Sequence, residues 1–248
     1  MKRENKEHDM RKNELTAAAK ILFFQKGYEN TTIQDIIDSL GIAKGTFYHY
    51  FKSKDDLLDT LVDQMITEMS QHLKPIANSK KNAIEKINDF FHAGASYKVK
   101  NLDVFIVIIR TLYRDENQQM RERMFQSSIK KNSPIIASIV KQGIKEGVFN
   151  TEYPDLIGET MINLGKNINE AICKTLLKAK INPREICEEM AQKILMYQDM
   201  IERILGAPKD TIKMYVPGEF EKIVDCFLKG LQDDSTGDSE IRKRYKMW

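Results

Sequence analysis

The sequence predicts an all-α protein, with a short helix-turn-helix unit near the N-terminus and a larger helical body after it. Apolar residues recur three and four positions apart along most of the chain, which is the spacing of one face of a helix. No pair of segments has the pattern of partner strands in a sheet. At 248 residues with 42% hydrophobic side chains, the chain can form one or two packed domains.

The first well-defined element is a short amphipathic helix from Ile33 to Leu40. Thr31 and Thr32 precede it and are favourable N-cap residues. Its apolar residues recur at helical spacing, which predicts one buried face. Gly41 ends the helix because glycine readily adopts the left-handed conformation, and Ile42 is the apolar residue that usually follows such a stop.

A second short helix is predicted from Lys44 to Phe51. Phe47, Tyr50 and Phe51 lie three and four positions apart and form its inner side. The outer side is formed by Lys44, Gly45, Thr46, Tyr48 and His49. Residues 43–54 contain three lysines and no acid, so this window is positive although the whole chain carries only +3.

The outer side of this helix has the residue types that a DNA major groove requires. Phosphates need cations and hydroxyl donors, whereas base edges need short side chains or bare backbone that can approach closely. The cations and hydroxyl for the first requirement are Lys44, Lys54 and Tyr48, and the small residues for the second are Ala43, Gly45 and Thr46. His49 is either a DNA contact or a solvated imidazole. Tyr50 is either a core residue, or its ring is buried while its hydroxyl reaches a phosphate.

The residues GYENTTIQDIIDSLGIAKGTFYHYFKSKDDLL, with Leu15 and Phe23 before them, resemble the N-terminal pattern of the tetracycline-repressor (TetR) family of bacterial transcription regulators. The resemblance implies that a first helix packs behind the other two, and that Thr31 or Thr32 caps the second helix against a phosphate. It also implies that the third helix enters the major groove, although Ala43 stands where serine or glutamate is common. The implied DNA-binding residues are Thr31, Thr32, Ala43, Lys44, Gly45, Thr46, Tyr48, His49, Tyr50 and Lys54.

The rest of the chain is predicted to be helical. The expected helices cover residues 55–71, 81–98, 102–113, 116–131, 134–146, 154–178, 183–205 and 219–231. Residues 102–113 also fit a buried strand, but no partner strand is present. Residues 116–146 form either one long helix or two consecutive ones.

These elements predict three regions. Residues 1–54 form an N-terminal arm and helix-turn-helix DNA-binding domain. Residues 55–232 form a helical ligand-binding and dimerisation domain, in which residues 55–73 are the connecting helix. Residues 233–248 mix glycine, serine and charged residues and are expected to be a mobile C-terminal tail.

Two apolar stripes, along residues 154–178 and 183–205, fit either a dimer interface or the core of one subunit. The resemblance favours the dimer, because such regulators present two recognition helices to a palindrome. The expected interface residues are Ile157, Met161, Leu164, Ile168, Ile186, Met190, Ile194, Tyr197 and Ile201.

The helical body is larger than dimerisation requires, which favours a cavity for a small-molecule effector. Aromatic, thioether and amide side chains on its central helices are the expected pocket residues. They are Phe90, Phe91, Tyr97, Phe105, Tyr113, Met124, Met161 and Asn167. The sequence does not identify the effector.

Other functional classes have little support. The sequence contains no HExxH, CxxC or glycine-rich phosphate motif, so we expect no enzyme activity, cofactor or metal. Cys173, Cys187 and Cys226 are widely spaced and fit buried thiols. No apolar segment follows the charged N-terminus or approaches the length of a membrane span, so a cytoplasmic location is expected.

The sequence therefore predicts a ligand-released repressor that binds a palindromic operator as a homodimer. The alternative is an architectural or recombinase-like DNA-binding protein that needs no ligand. The size of the helical body argues against this alternative.

Overall fold

The computed structural model describes residues 2–100, 111–177, 182–214, 218 and 221–225, without the side chains of residues 2–7, 94–100 and 177. Every regular element within these ranges is helical, which confirms the all-α fold. The helices are α1 (Lys2–Lys26), α2 (Ile33–Leu40), α3 (Lys44–Tyr50), α4 (Lys54–Gln71), α5 (Lys74–Ala77), α6 (Ala83–Lys100), α7 (Gln118–Lys145), α8 (Pro154–Leu177) and α9 (Pro183–Leu205). A 3-10 turn, Asp115–Asn117, precedes α7.

The described residues form two compact units. Unit 1 contains residues 2–66 and 111–127, and unit 2 contains residues 67–100, 128–177, 182–214, 218 and 221–225. Helices α4 and α7 each contribute residues to both units. Unit 1 is therefore larger than the 1–54 domain predicted from the sequence, and part of it comes from far along the chain.

The core of unit 1 joins α1, α2, α3 and the first part of α4. Phe23, Ile36, Phe47, Phe51 and Leu58 are all buried in it, and each has at most 1% of its surface exposed. Leu112 and Met120, from the downstream segment, are buried in the same cluster. This core fixes the backbone of α2 and α3 and leaves their other faces open to solvent.

The core of unit 2 is built on α6, α7, α8 and α9. The hydroxyl of Tyr197 in α9 donates a hydrogen bond of 2.7 Å to the carbonyl oxygen of Met161 in α8. Gly165 makes room for this contact, because a Cβ atom there would lie 3.0 Å from the Tyr197 hydroxyl oxygen. The pair α8 and α9 is therefore packed closely within the single chain.

The helix bounds agree with the sequence pattern except in a few places. Residues 118–145 form one helix that contains Pro134, so the alternative of two helices was wrong. Helix α1 begins at Lys2, far ahead of its first apolar residues. Residues 101–110, the 226–231 end of the predicted last helix, and the predicted tail lie outside the described residues, whereas residues 221–225 are helical.

Candidate nucleic-acid interface

Helix α2 starts with a reciprocal cap between Thr32 and Asp35. The Thr32 hydroxyl accepts a hydrogen bond of 3.0 Å from the backbone N–H of Asp35, whose carboxylate accepts one of 2.8 Å from the N–H of Thr32. Lys26 Nζ lies 2.7 Å from the same carboxylate. The hydrogen bond from Lys26 and those from Thr32 hold the pKa of Asp35 well below its usual range. The start of α2 is thereby attached to the end of α1.

The turn between α2 and α3 forms as its sequence predicts. Gly41 has φ of 62°, in the left-handed region, and its N–H donates to the carbonyl of Asp38. The N–H of Ile42 donates to the carbonyl of Ile37, and the Ile42 side chain packs on the core of unit 1. This turn sets the angle at which α3 leaves α2.

Helix α3 presents the outer side that its spacing predicts. Phe47 is fully buried, and Phe51 caps the C-terminal end of the helix with its ring in the core. Ala43, Lys44, Gly45 and His49 are exposed, Thr46 is partly exposed, and 48% of the Tyr48 surface is accessible. One lysine ammonium, two hydroxyls, an imidazole and an accessible backbone therefore share one solvent-facing surface of a helix that two buried aromatic rings hold in place.

Thr31 does not lie on this surface. Its side chain is 0% exposed, and its hydroxyl donates a hydrogen bond of 2.7 Å to the carbonyl oxygen of Gly27. The predicted phosphate contact of Thr31 is therefore wrong. Of the two threonines, Thr32 is the N-cap residue and is the exposed one.

Lys54 also has a different environment from the one expected of a phosphate contact. Its ammonium donates hydrogen bonds of 2.8 Å to the carbonyl of Tyr28 and 2.9 Å to that of Thr31, and it lies 4.2 Å from the centroid of the Tyr28 ring. These contacts hold the turn between α1 and α2 against the start of α4. We assign Lys54 to the structure of unit 1 and leave it out of the DNA-contacting surface.

Tyr50 lies at the edge of the surface. Its ring is partly buried and packs on the core of unit 1, which agrees with the prediction that Tyr50 is a core residue. The ring also lies close to two imidazoles. The centroid of the His49 ring is 4.9 Å away, and that of His8 in α1 is 4.7 Å away. Sequence reasoning missed His8, because no apolar periodicity marks the first turns of α1.

A downstream segment, residues 111–123, supports the surface from behind. The side chain of Asn117 is fully buried, and its Oδ1 accepts a hydrogen bond of 2.7 Å from the backbone N–H of Tyr28. Its Nδ2 donates to the carbonyls of Thr111 at 2.9 Å and Phe23 at 3.3 Å. One amide group thus joins the end of α1 to the segment before α7.

Arg123 makes a second connection, to the first turn of α4. Its guanidinium contacts Asp55 Oδ1 at 2.5 Å and Asp59 Oδ1 at 2.6 Å. The hydroxyl of Tyr28 donates to the same Asp55 oxygen at 3.0 Å. Burial, followed by the hydrogen bond to Asp55, raises the pKa of Tyr28 far above its usual value. Sequence spacing could not reveal these partners, because Arg123 lies 68 residues from Asp55 and 64 from Asp59, and Tyr28 lies 27 residues from Asp55.

Comparison with known proteins gives the family. Residues 15–61 match the model of the bacterial regulatory proteins of the TetR family, and residues 104–200 match a tetracyclin repressor-like C-terminal domain. The HTH-type transcriptional repressor KstR2 of Mycobacterium tuberculosis is 30% identical over 150 residues, which are 59% of this chain and 71% of that protein. The chain belongs to the TetR family. It is a DNA-binding transcriptional regulator.

Two solved structures have the same fold. A TetR-family transcriptional regulator from Pectobacterium atrosepticum superposes with a TM-score of 0.59 at 19% identity, over 82% of this chain and 97% of that one. The reduced form of E. coli NemR gives a TM-score of 0.51 at 17% identity, over 80% and 99%. The TetR N-terminal model begins at residue 15, so the first turns of α1, with His8, precede the matched region.

The residues predicted to form a dimer interface are mostly core residues. Six of them have 8% or less of their surface exposed within the single chain: Ile157, Met161, Ile186, Met190, Tyr197 and Ile201. Leu164, Ile168 and Ile194 are partly buried. These residues of the two stripes therefore lie in the interior of unit 2. This agrees with the alternative prediction, in which the stripes form the core of one subunit. Leu156, Leu195 and Met196, on the same two helices, are exposed.

The predicted pocket residues with described side chains are divided between the two units. Tyr113 and Met124 belong to unit 1, while Phe90, Phe91 and Met161 belong to the core of unit 2. Asn167 is exposed, and the side chains of Tyr97 and Phe105 lie outside the described part of the chain. In unit 2, the centroids of the Phe91 and Tyr197 rings are 6.2 Å apart.

Two other expectations concern metals and membranes. Within the described ranges, no group of three or more histidine, cysteine, aspartate or glutamate side chains is placed to hold a metal ion. The described helices include none that is long and apolar enough to cross a membrane.

Of the three cysteines expected to be buried thiols, Cys173 is buried and Cys187 is partly buried, while Cys226 is outside the described residues.

Proposed function

We propose that this TetR-family regulator is a cytoplasmic repressor that binds a palindromic operator as a homodimer and is released from DNA by a small apolar or amphipathic effector. The observation that carries the DNA-binding part is the outer surface of α3. Lys44, Thr46, Tyr48 and His49 reach solvent from one short helix whose inner rings are buried. The repressor assignment is supported by the name of the KstR2 relative.

We assign distinct tasks to the residues of this surface. Lys44 and Tyr48 bind phosphates, while Gly45 and Thr46 allow the helix backbone to approach base edges. Thr32 is at the positive N-terminal end of α2, where a phosphate is favoured. Ala43, just before α3, and His49, in its last turn, are the other residues proposed to contact DNA. Tyr50 positions its neighbours, because its ring packs on the core.

We place the dimer contact on the outer faces of α8 and α9. Leu156 and Met196 are more than half exposed, and Leu195 is nearly so. Burial of such side chains against a second copy would remove apolar surface from water. A Leu195→Asp, Met196→Asp protein is expected to sediment as a folded monomer. Ile144→Asp, also at an exposed apolar position, is the matched control and is expected to sediment as the wild type does.

The effector is proposed to bind within unit 2, beside Phe90, Phe91 and Tyr197. This region offers aromatic surface, and the Nε2 atom of His92 is buried without a hydrogen-bond partner among the described residues. Buried polar atoms usually have a partner, so His92 is the group we expect an effector's polar atom to meet.

Release from DNA is proposed to act through α4 and α7. Both helices continue from unit 2 into unit 1, where residues of α7 hold Asp55 and Asp59 at the start of α4. An effector that favours another arrangement of these helices by about 1–3 kcal/mol would weaken DNA binding roughly 5- to 150-fold.

The first experiment uses a duplex that the wild-type protein selects from a random-sequence pool. Sedimentation should show two subunits on each duplex. A thermal-shift screen then identifies an effector, and its affinity is measured with and without the duplex. Reciprocity requires the duplex to weaken effector binding by the same factor. Equal effector affinities would refute ligand release, and one subunit on each duplex would refute the dimer.

A further inference from the structure

The first turns of α1 reach the DNA-facing surface from outside the helix-turn-helix. The centroid of the His8 ring lies 4.7 Å from that of Tyr50 and 5.8 Å from that of His49. Lys12, one turn further along α1, lies 5.5 Å from the centroid of the Phe51 ring. These contacts lie along the last turn of α3 and the residue that ends it. His8 and Lys12, which make these contacts, precede residues 15–61, the segment that the family model matches.

Two imidazoles are therefore close together at one end of the surface. His49 is exposed, and the His8 side chain has 48% of its surface accessible. The ionisable groups in contact with the His8 side chain are Asp9 from α1 and His49 and Tyr50 from α3, and Lys12 lies one turn further along α1, over the Phe51 ring. The Asp9 carboxylate lies 3.9 Å from His8 Nδ1.

We propose that His8 is a positioning residue of the DNA-reading surface, and that the His8–His49 pair takes up a proton when DNA binds. The proposal rests on the proposed function, because it requires α3 to face DNA. The His8 ring restricts the orientations of the His49 and Tyr50 rings. Phosphates near the pair favour the imidazolium form, which is the physical reason for the proposed proton uptake.

The direction of the pH effect follows from this linkage. An unperturbed imidazole changes charge near about pH 6.5. DNA favours the protonated pair, so the added affinity is present at low pH and is lost as the pH rises through this range. Each proton taken up changes the affinity by at most about tenfold per pH unit. Most of the change should fall between about pH 5.5 and pH 8.

The test is a fluorescence-anisotropy titration of full-length protein with the selected duplex across this pH range. His8→Phe keeps a ring against Tyr50 but does not ionise, whereas His8→Ala removes both properties. His49→Phe is the partner variant. His72→Phe is the control, because His72 is exposed and belongs to unit 2. Circular dichroism melting shows that each variant is folded.

The wild type and His72→Phe are expected to bind more tightly by about tenfold from about pH 8 to pH 5.5. His8→Phe should lose most of this gain and keep wild-type affinity near pH 8. His49→Phe should also lose most of the gain, and it should bind more weakly than the wild type at every pH because His49 belongs to the proposed DNA-binding surface. His8→Ala should bind more weakly than His8→Phe at every pH. A His8→Phe profile that superimposes on the wild-type profile, or equal binding by His8→Ala and His8→Phe, would overturn the inference. A wild-type protein that selects no duplex would overturn the proposed function itself, and this inference with it.

Discussion

The Oδ1 atom of Asn117 accepts a hydrogen bond of 2.7 Å from the backbone N–H of Tyr28, although the two residues are 89 positions apart. The contact is buried, and it holds the turn that leads into α2. A residue from the segment before α7 is thereby part of the unit that carries α3, the helix proposed to face DNA. The position of α2 and α3 depends on the downstream chain as well as on the N-terminal residues.

The first prediction concerns Asn117 itself. Asn117→Ala leaves the Tyr28 N–H and the Phe23 carbonyl without their amide partner. An unsatisfied buried polar group costs about 1–3 kcal/mol, so the free energy of unfolding should fall by at least that amount. Denaturant unfolding measures the loss. Asn163→Ala, at an exposed position of α8, is the control. Equal unfolding midpoints for the two variants would contradict the role of Asn117.

The second prediction separates two lysines that the sequence suggested for the same task. Lys44→Ala should weaken binding to all duplexes and reduce the slope of log affinity against log salt by about one unit, because one phosphate contact is lost. Lys54→Ala should leave the slope unchanged and lower the free energy of unfolding by about 1.5–3 kcal/mol, because charge-assisted hydrogen bonds are lost. Anisotropy titrations across salt concentrations decide, and a reduced slope for Lys54→Ala would contradict the assignment.

The third prediction uses a glycine that the fold does not need. A Cβ atom at Gly45 would meet no heavy atom within 4 Å. Alanine favours a helix over glycine by about 1 kcal/mol, so Gly45→Ala should raise stability slightly while reducing DNA affinity by steric exclusion. Gly41→Ala is the contrast, because φ of 62° there strains any other residue and should lower stability. Unchanged DNA affinity in folded Gly45→Ala would count against close backbone approach.

The fourth prediction concerns acid. The hydrogen bonds from Lys26 and Thr32 hold the pKa of Asp35 below its ordinary value, so this carboxylate stabilises the fold above about pH 4 and loses that effect as the pH falls further. Asp35→Asn should be less stable than the wild type at neutral pH, and the difference should shrink towards about pH 3. Asp38→Asn, on the same helix, is the control. A difference that stays constant with pH would refute this origin.

The sequence predicted the parts of the fold that local signals determine. The Thr32 cap, the left-handed Gly41 and the spacing of Phe47 act within a few residues, so α2 and α3 were predicted within a residue of their bounds. The apolar stripes of α8 and α9 were recognised, but periodicity does not distinguish a subunit core from an interface.

Other features depend on contacts that no local pattern records. Asn117 and Arg123 belong to unit 1 although they lie far downstream of its N-terminal helices, and Lys54 bonds to carbonyl oxygens more than twenty residues before it. Burial of the Thr31 hydroxyl depends on the turn at Gly27. A cation or hydroxyl in a positive segment has the same sequence signature whether it faces DNA or the protein.

The most direct test of the account is duplex selection carried out in parallel with the wild type and with Thr46→Ala. The wild type is expected to enrich an inverted repeat with half-sites about one turn of DNA apart or somewhat wider. Thr46→Ala should enrich a repeat of the same spacing with altered preference at a symmetric pair of positions, because it changes a base contact and leaves the assembly intact. Enrichment of identical motifs by both proteins, or of no inverted repeat by the folded wild type, would contradict the claim that α3 reads DNA.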